Sequence, residues 1–293
     1  MKHFKNYLNP LLLSVGLLVC MACTDGESTP EVPTPEPWAV NISRTATGGQ
    51  DLLVMLDTDG SVQNGRLHPA DTDGGTATWV GDGLSWPGSG TVKLTTFCPY
   101  PADGKLPATL SSTDGIAYQM DYVETPASLK VTEFTLSHLM AQLEVHIKLH
   151  DDAQHHFQPT DASIDLCVTG AFHPVAENKL VADASSLQAC SLGSFDREDN
   201  STGSDENWTN TPQVVVPQSL SAGVACLTFT AGERTYTFIP EEDIVLKPGK
   251  KTKLYLGASY ENLIVTLVKE GVTITDWEEG SFQQEDIYNP NNN

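Results

Sequence analysis

The sequence predicts an all-β protein with two β-sandwich domains in tandem. From Trp38 onward, apolar residues recur at every second position, as in Trp38, Val40 and Ile42, which is the period of a strand with one buried face. The segment 137–145 fits helix or strand, and we interpret it as a strand that continues to Ile147. Turn pairs separate the short runs, among them Asp59-Gly60, Asp103-Gly104, Asp114-Gly115, Pro248-Gly249 and Glu270-Gly271. Many short strands at this spacing are typical of β-sandwiches.

Residues 1–22 are predicted to be an export signal. Lys2 and Lys5 give a basic start, an apolar run covers 11–19, and the small Ala22 ends the segment. The apolar run is too short to span a bilayer. The chain is therefore expected to leave the cytoplasm.

Cys23 is the predicted lipidation site. A lipoprotein signal ends with small residues before a cysteine, whose thiol takes a diacylglycerol and whose freed amine takes a further acyl chain such as palmitate. Ala22 fits the position before the cut, whereas Cys20 would place Val19 there. Such chains make an effectively permanent membrane anchor. The alternative is a soluble secreted protein that is cut nearby.

The segment 23–37 is predicted to be a tether. It is rich in Pro, Glu and Thr and has almost no apolar residues, so it cannot bury a core. Asp25 and Glu27, directly after the cysteine, resemble the surface-export signal of Bacteroides-type lipoproteins. The remaining chain is expected to form an N-terminal sandwich over 38–150 and a C-terminal sandwich over 151–293, both of ordinary domain size.

The charge balance excludes two classes of partner. The chain carries 38 Asp and Glu against 16 Lys and Arg, a net charge of −22. Nucleic acid and anionic lipid headgroups both require a basic patch. No nucleic-acid partner is therefore predicted, and the acidic surface is interpreted as a solubilising one.

The four cysteines beyond the signal and anchor are interpreted as buried free thiols. No two of them have the CxxC spacing of a zinc or redox site, and each has apolar neighbours. A Cys167–Cys190 or Cys167–Cys226 bridge is the alternative. The four residues are Cys98, Cys167, Cys190 and Cys226.

No catalytic residue, metal site or cofactor is predicted. The histidines lack a ligand pattern, and the adjacent pair His155-His156 would point to opposite faces of a strand. Two fragments that resemble calcium loops, 57–60 and 71–74, lack the later ligands of such a loop and are interpreted as turns. His138 is interpreted as a hydrogen-bonded structural residue.

Three segments together resemble the fimbrillin-like (Mfa-like) family and cover nearly the whole mature chain. The first is similar to the family's signature at the end of its first domain, the second to its valine-proline-glutamine strand, and the third to its closing hairpin with a late tryptophan. They are Phe134 to Leu143 with His138 and Ala141, Val214 to Gln218, and Leu246 to Gly280 with Tyr255 and Trp277.

The resemblance implies two transthyretin-like (Greek-key) sandwiches and assembly by strand exchange. An arginine-specific protease would cut the chain, the N-terminal strand would leave, and another subunit's strand would fill the groove. Arg44 stands where that cut would fall, and Trp38, Val40 and Ile42 would be the core contacts of the removable strand. The alternative is an ordinary surface arginine beside a strand that never leaves.

The function implied is that of a structural or adhesive fimbrial subunit, a tip or accessory subunit rather than a shaft subunit. Its partners would be other fimbrial subunits through β-strand complementation, the outer membrane through the lipid anchor, an arginine-specific protease, and a host or bacterial surface ligand. The second hypothesis is a surface lipoprotein that binds glycans on exposed tryptophans. A hydrolase is the third hypothesis, but the sequence identifies no particular pair of Asp or Glu residues as the catalytic carboxylates. The tryptophans considered are Trp79, Trp86, Trp208 and Trp277.

Overall fold

Strands make up nearly all the regular structure that the computed structural model describes. The described residues are 39–44, 50–69, 79–82, 84–129, 131–150, 157–198, 205–259 and 262–277. Among them, one short 3-10 helix covers Ala184–Ser186, and none lies in a helix of the length and apolarity needed to cross a membrane. The all-β fold class predicted from the period-two pattern is confirmed.

The first half of the chain forms an eight-stranded sheet. The strands in chain order are β1 (Ala39–Arg44), β2 (Leu52–Thr58), β3 (Ser61–Pro69), β4 (Trp79–Asp82), β5 (Thr91–Cys98), β6 (Thr109–Ser111), β7 (Gln119–Pro126), β8 (Val131–Thr135) and β9 (Ser137–His138). Their order across the sheet is β8-β1-β4-β3-β2-β5-β7-β9, with β6 outside it.

The turn between β2 and β3 shows why these strands form a hairpin. Asp59 and Gly60 have φ angles of 48° and 88°, which is the left-handed conformation that a two-residue hairpin turn requires. The Asp57 carboxylate accepts the Gly60 N–H at 3.0 Å. The interpretation of 57–60 as a turn is confirmed, whereas 71–74 lies outside the described residues.

The second half of the chain forms a ten-stranded sheet and supplies two smaller sheets. Its strands are β10 (Ala141–His150), β11 (Thr160–Cys167), β12 (Thr169–Phe172), β13 (Leu180–Ala182), β14 (Leu187–Ser191), β15 (Phe195–Arg197), β16 (Asp205–Asn210), β17 (Gln213–Val215), β18 (Gln218–Leu220), β19 (Leu227–Ala231), β20 (Arg234–Phe238), β21 (Ile244–Leu246), β22 (Lys250–Ser259) and β23 (Asn262–Asp276). The large sheet runs β14-β11-β19-β20-β23-β22-β10-β16-β15, with β17 beside β10. β13-β12-β6 form a three-stranded sheet, and β18 pairs with β21.

β10 confirms the strand predicted through Ile147. Leu143, Val145 and Ile147 are 0% exposed and face the core, while the residues between them lie on the other face. β10 pairs in parallel with β22 and antiparallel with β16 and β17. Its hydrogen bonds thus go to strands of the second half, and the division into 38–150 and 151–293 stays a prediction.

Three clusters of buried side chains hold these sheets together. The first packs β2, β3 and β5 against the segment from Phe134 to Leu136, and the second lies under the ten-stranded sheet. The third joins the two halves of the chain and comprises Leu53, Phe97, Leu110, Met120, Leu139, Met140, Phe172, Leu180, Val214, Val216 and Trp277. The sheets pack as a sandwich does, and the transthyretin-like Greek-key connectivity stays a prediction.

The four described cysteines are free thiols, as the preferred interpretation expected, but only two of them have the burial that it expected. Cys98 and Cys226 are buried, and Cys167 and Cys190 are partly buried. Burial raises the pKa of Cys98 to about 12 and that of Cys226 to about 11. These two thiols therefore carry little thiolate at neutral pH and are inert.

Candidate functional site

β1 lies inside the first sheet, between β8 and β4. It pairs in parallel with β8 from Ala39↔Val131 to Arg44↔Thr135, with an irregularity after Ile42, and antiparallel with β4 at Val40↔Trp79. Among the described strands, β8 has no other neighbour in the sheet. The order of the sheet therefore makes β1 the connection between β8 and the rest.

A core residue stands beside β1. Phe134 of β8, the register partner of Ile42, is 0% exposed and belongs to the first core cluster. Val40 and Ile42 lie within β1, as the alternating pattern predicted, whereas Trp38 is outside the described residues. The role of these three as removable core contacts stays a prediction.

Arg44 is the last residue of β1. Of the three other arginines, Arg66 lies inside the paired strand β3, whereas Arg197 is the last residue of β15 and Arg234 is the first residue of β20. Arg66 also forms an ion pair with Asp51. A protease must bind its substrate as an extended segment that is free of other pairing, and a strand end meets this condition more readily than a strand interior. Arg44 as the processing site stays a prediction.

His138 takes part in the junction between the two halves. Its ring stacks on the Trp277 indole with centroids 4.1 Å apart and planes 4° apart. The Gln119 amide nitrogen lies 3.2 Å from His138 Nε2 and 3.3 Å from Nδ1. Trp277 is 7% exposed, and its backbone N–H donates to the Gly249 carbonyl at 3.1 Å. The structural role predicted for His138 is confirmed.

The three tryptophans whose side chains the structure describes do not form an exposed row for sugar stacking. Trp277 is buried, and Trp86 and Trp208 are partly buried. The Trp86 indole N–H donates to the Ala127 carbonyl at 2.7 Å, so it joins the loop before β5 to the turn after β7. This geometry does not favour the glycan-binding hypothesis.

A charged network that the sequence analysis missed lies on the outer face of β10. His146 Nε2 is 2.6 Å from Glu144 Oε1, and His146 Nδ1 is 2.6 Å from Glu198 Oε1. Lys253 Nζ lies 2.9 Å from Glu144 Oε1, and the Tyr255 ring stacks on His146 at 4.5 Å. The Glu144 side chain is only 10% exposed, so these charges depend on one another.

The network fixes the ionisation of its members. For Glu144, burial would raise the pKa, but the hydrogen bonds and charges of His146 and Lys253 outweigh it and lower the pKa to about 2. For His146, burial would lower the pKa, but the two carboxylates outweigh it and raise the pKa. Glu144 is therefore anionic and His146 favours its cationic form.

We expect this network to limit the stability of the protein at both ends of the pH scale. The contribution of Glu144 is present above its ordinary pKa of 4.5 and is lost as the pH falls toward 2. The contribution of His146 is complete below its ordinary pKa of 6.5 and is lost as the pH rises through the raised value. Urea unfolding should therefore show that the network contributes most to the free energy of unfolding between pH 4.5 and pH 6.5.

Glu144→Gln should lower the free energy of unfolding by ~3 kcal/mol at pH 6, because it removes the mostly buried carboxylate that His146 and Lys253 share and leaves His146 with Glu198. Glu241→Gln, at an exposed position, is the matched control and should change little. If the free energy of unfolding of Glu144→Gln depends on pH in the same way as that of the unaltered protein, the network does not determine the pH dependence of stability.

No described group of three His, Cys, Asp or Glu side chains is arranged to hold a metal ion. The pair His155-His156 lies outside the described residues, as does Cys23. What the structure defines is a class: an all-β protein of packed sheets, with its first described strand held between two others.

Within that class, the chain belongs to the fimbrillin-like family, whose model matches residues 44–277. The family consists of structural subunits, so the prediction that the chain is not an enzyme agrees with it. A search of the curated proteins gave no match.

Solved structures share the fold at low sequence identity. A candidate cell adhesion protein of Bacteroides uniformis superposes with a TM-score of 0.57 and 15% identity, covering 84% of this chain and 100% of its own. A second one, of Bacteroides ovatus, has a TM-score of 0.54 and 16% identity, covering 84% and 99%. A fimbrial protein of Bacteroides vulgatus has a TM-score of 0.50 and 10% identity, covering 83% and 99%. At these identities the likeness shows the fold alone.

Proposed function

We propose that the chain is a structural or adhesive subunit of a cell-surface fimbria and not an enzyme. The family match over residues 44–277 carries this proposal, and solved structures of the same fold described as adhesion or fimbrial proteins agree with it. Filaments sheared from intact cells should contain the chain, as detected by mass spectrometry. Its absence from sheared filaments, with normal amounts on the cell surface, would contradict the proposal.

Assembly by strand exchange is the mechanism that we propose. An arginine-specific protease cuts after Arg44, β1 leaves, and a strand of another fimbrial subunit takes its place beside β8. The position of β1 between β8 and β4 supports the proposal, since its removal leaves a slot of the width of one strand. The position of Arg44 at the end of β1 supports it as well.

A tip or accessory position fits the chain better than a shaft position. The tail after Trp277, residues 278–293, offers only Phe282, Ile287 and Tyr288 as large apolar side chains. A donor strand fills a groove with alternate apolar residues, and this tail supplies few of them. A tip subunit would accept a strand, donate none and present its surface to a host or bacterial ligand.

The proposed location is the outer surface of the outer membrane, with Cys23 as lipid anchor. Cys23→Ser should move the protein from the outer-membrane fraction to the soluble fraction, because acyl chains supply the membrane affinity. Cys20→Ser is the matched control and should leave the protein in the membrane fraction. Continued detergent-phase partitioning of the Cys23→Ser variant would rule out this anchor.

A further inference from the structure

A groove of about 1100 Å³ begins beside the His138–Trp277 stack. Its walls include β13, β18, β21 and the loop before β19. Among the described strands, β13 pairs only with β12, and β18 and β21 pair only with each other. The groove is therefore bordered by strand edges with unpaired backbone groups, which are able to bind an extended segment.

Exposed apolar side chains line this groove. The exposed fractions are 49% for Val181, 59% for Leu187, 56% for Val224 and 46% for Val245. Apolar residues gathered around one concave surface, rather than scattered singly, indicate a binding surface. Val245 lies between the buried Ile244 and Leu246, and Val181 follows the buried Leu180, so the side chains of both valines lie on the exposed face of their strands.

Lysines flank the same two strands in a chain of net charge −22. Lys179 precedes β13 and Lys247 follows β21, and both line the groove. No ion pair is described for either, in contrast to Lys250, which pairs with Asp276. Asp165, Glu177 and Asp276 also border the groove, so together with Lys250 its lining has a formal charge of zero. An occupant that combines apolar and acidic residues would match the apolar strand edges and the two lysines directly beside them.

The C-terminal tail of the chain has this composition and starts at the groove. Trp277 lines the groove, and residues 278–293 follow it directly. The tail carries four acidic residues and three large apolar ones, namely Glu278, Glu279, Glu285, Asp286, Phe282, Ile287 and Tyr288. An extended segment of this length reaches about 50 Å, enough to extend from Trp277 along the groove.

We propose that the tail, residues 278–293, binds in this groove of the same molecule as an extended segment, with Phe282 and Tyr288 against its exposed valines. These two aromatic residues are an even number of positions apart and therefore share one face of a strand. The acidic residues of the tail lie near Lys179 and Lys247. The tail thereby covers the apolar groove of the subunit, and this does not depend on processing at Arg44.

Binding within one molecule follows from the covalent connection. A segment attached at the end of its own site has an effective concentration in the millimolar range, which exceeds the concentration of any neighbouring copy in dilute solution. A segment of low intrinsic affinity with two aromatic side chains as anchors can then occupy the groove, although it would bind poorly as a separate peptide.

Photo-crosslinking in the full chain tests the proposal. Phe282 or Tyr288 is replaced by p-benzoylphenylalanine, the protein is irradiated in dilute solution, and the linked peptides are identified by mass spectrometry. Links to 179–187 or 244–250 within a monomer are expected. Links between two molecules would overturn the proposal and make the tail a donor to a neighbouring copy, and links to other surfaces, or none, would also overturn it.

Groove variants provide the second measurement. Val181→Asp with Val245→Asp should reduce the yield of intramolecular crosslinks at least about tenfold, because both carboxylates would face the apolar and acidic tail. These side chains are exposed, so the fold should persist. Val62→Asp, at a position 54% exposed in β3, is the matched control and should leave the yield unchanged. An unchanged yield in the double variant would refute the proposed binding site.

Discussion

Cleavage after Arg44, followed by departure of β1, is expected to convert a stable monomer into a species that oligomerises or accepts a donor peptide. Without β1, the described part of β8 has no neighbour in the sheet, and unpaired backbone groups remain along the slot. If Trp38, Val40 and Ile42 are core contacts, as predicted, the loss amounts to about 1.5–3 kcal/mol for each side chain. Such a loss is comparable to the whole stability of a domain.

The measurement is size-exclusion chromatography with light scattering after limited digestion by an arginine-specific protease, together with urea unfolding. A synthetic peptide of residues 38–44, or a donor strand of another subunit, should restore the midpoint of unfolding. This follows because a strand in the slot returns both the backbone hydrogen bonds and the buried apolar area.

Arg44→Lys is the matched control, since it keeps the positive charge and removes the cleavage site. The variant should stay monomeric and retain the unfolding midpoint of the unaltered protein. Cleavage at Arg66 is not expected in the folded state, because it lies inside a paired strand. Arg197 and Arg234 stand at strand ends as Arg44 does, so mass spectrometry of the fragments must identify the bond that is cut. A cleaved protein that stays a stable monomer and takes up no donor strand would leave a passive adhesin as the better interpretation.

Local features of this fold could be predicted from the sequence because their causes are local. The Asp59-Gly60 turn requires left-handed backbone at adjacent positions, and this pair adopts it readily. The alternation of Leu143, Val145 and Ile147 identified β10, because a strand over a core buries every second residue. In both cases the evidence lies within a few residues.

The charged network could not be predicted because its members meet only through long-range pairing. Glu144 and His146 are two positions apart, which places them on one face of a strand. Their partner Lys253 comes from β22, whose parallel pairing with β10 sets Glu144 opposite Lys253. The two-residue spacing was visible in the sequence, but nothing local indicates which later strand lies beside β10.

The position of β1 within the sheet could not be predicted either, because it too depends on long-range pairing. The strand pattern around Val40 predicted that a strand exists, and the structure has one. Its neighbours β8 and β4 are set by the closure of the whole sheet rather than by local sequence. Resemblance to a family therefore supplied the strand-exchange hypothesis, which stays a prediction.

Trp277→Ala is expected to lower the free energy of unfolding by about 4 kcal/mol, because it removes a large side chain from the cluster that joins the two halves of the chain. Trp277→Phe, which keeps an aromatic ring against His138, should cost less than half as much. Urea unfolding followed by circular dichroism measures both. A cost below about 1 kcal/mol for the alanine variant would mean that the indole contributes little to this junction.

The same variant tests whether the two halves unfold together. The cluster contains Leu53, Phe97 and Met120 from the first half, and Val214 and Val216 from the second. Weakening it should separate the unfolding of the halves, because the cooperativity of joined sheets depends on the apolar area they share. Hydrogen exchange should then show β2 and β5 losing protection at a different denaturant concentration from β10 and β22. Simultaneous loss of protection in Trp277→Ala would show that contacts other than this cluster couple the two halves.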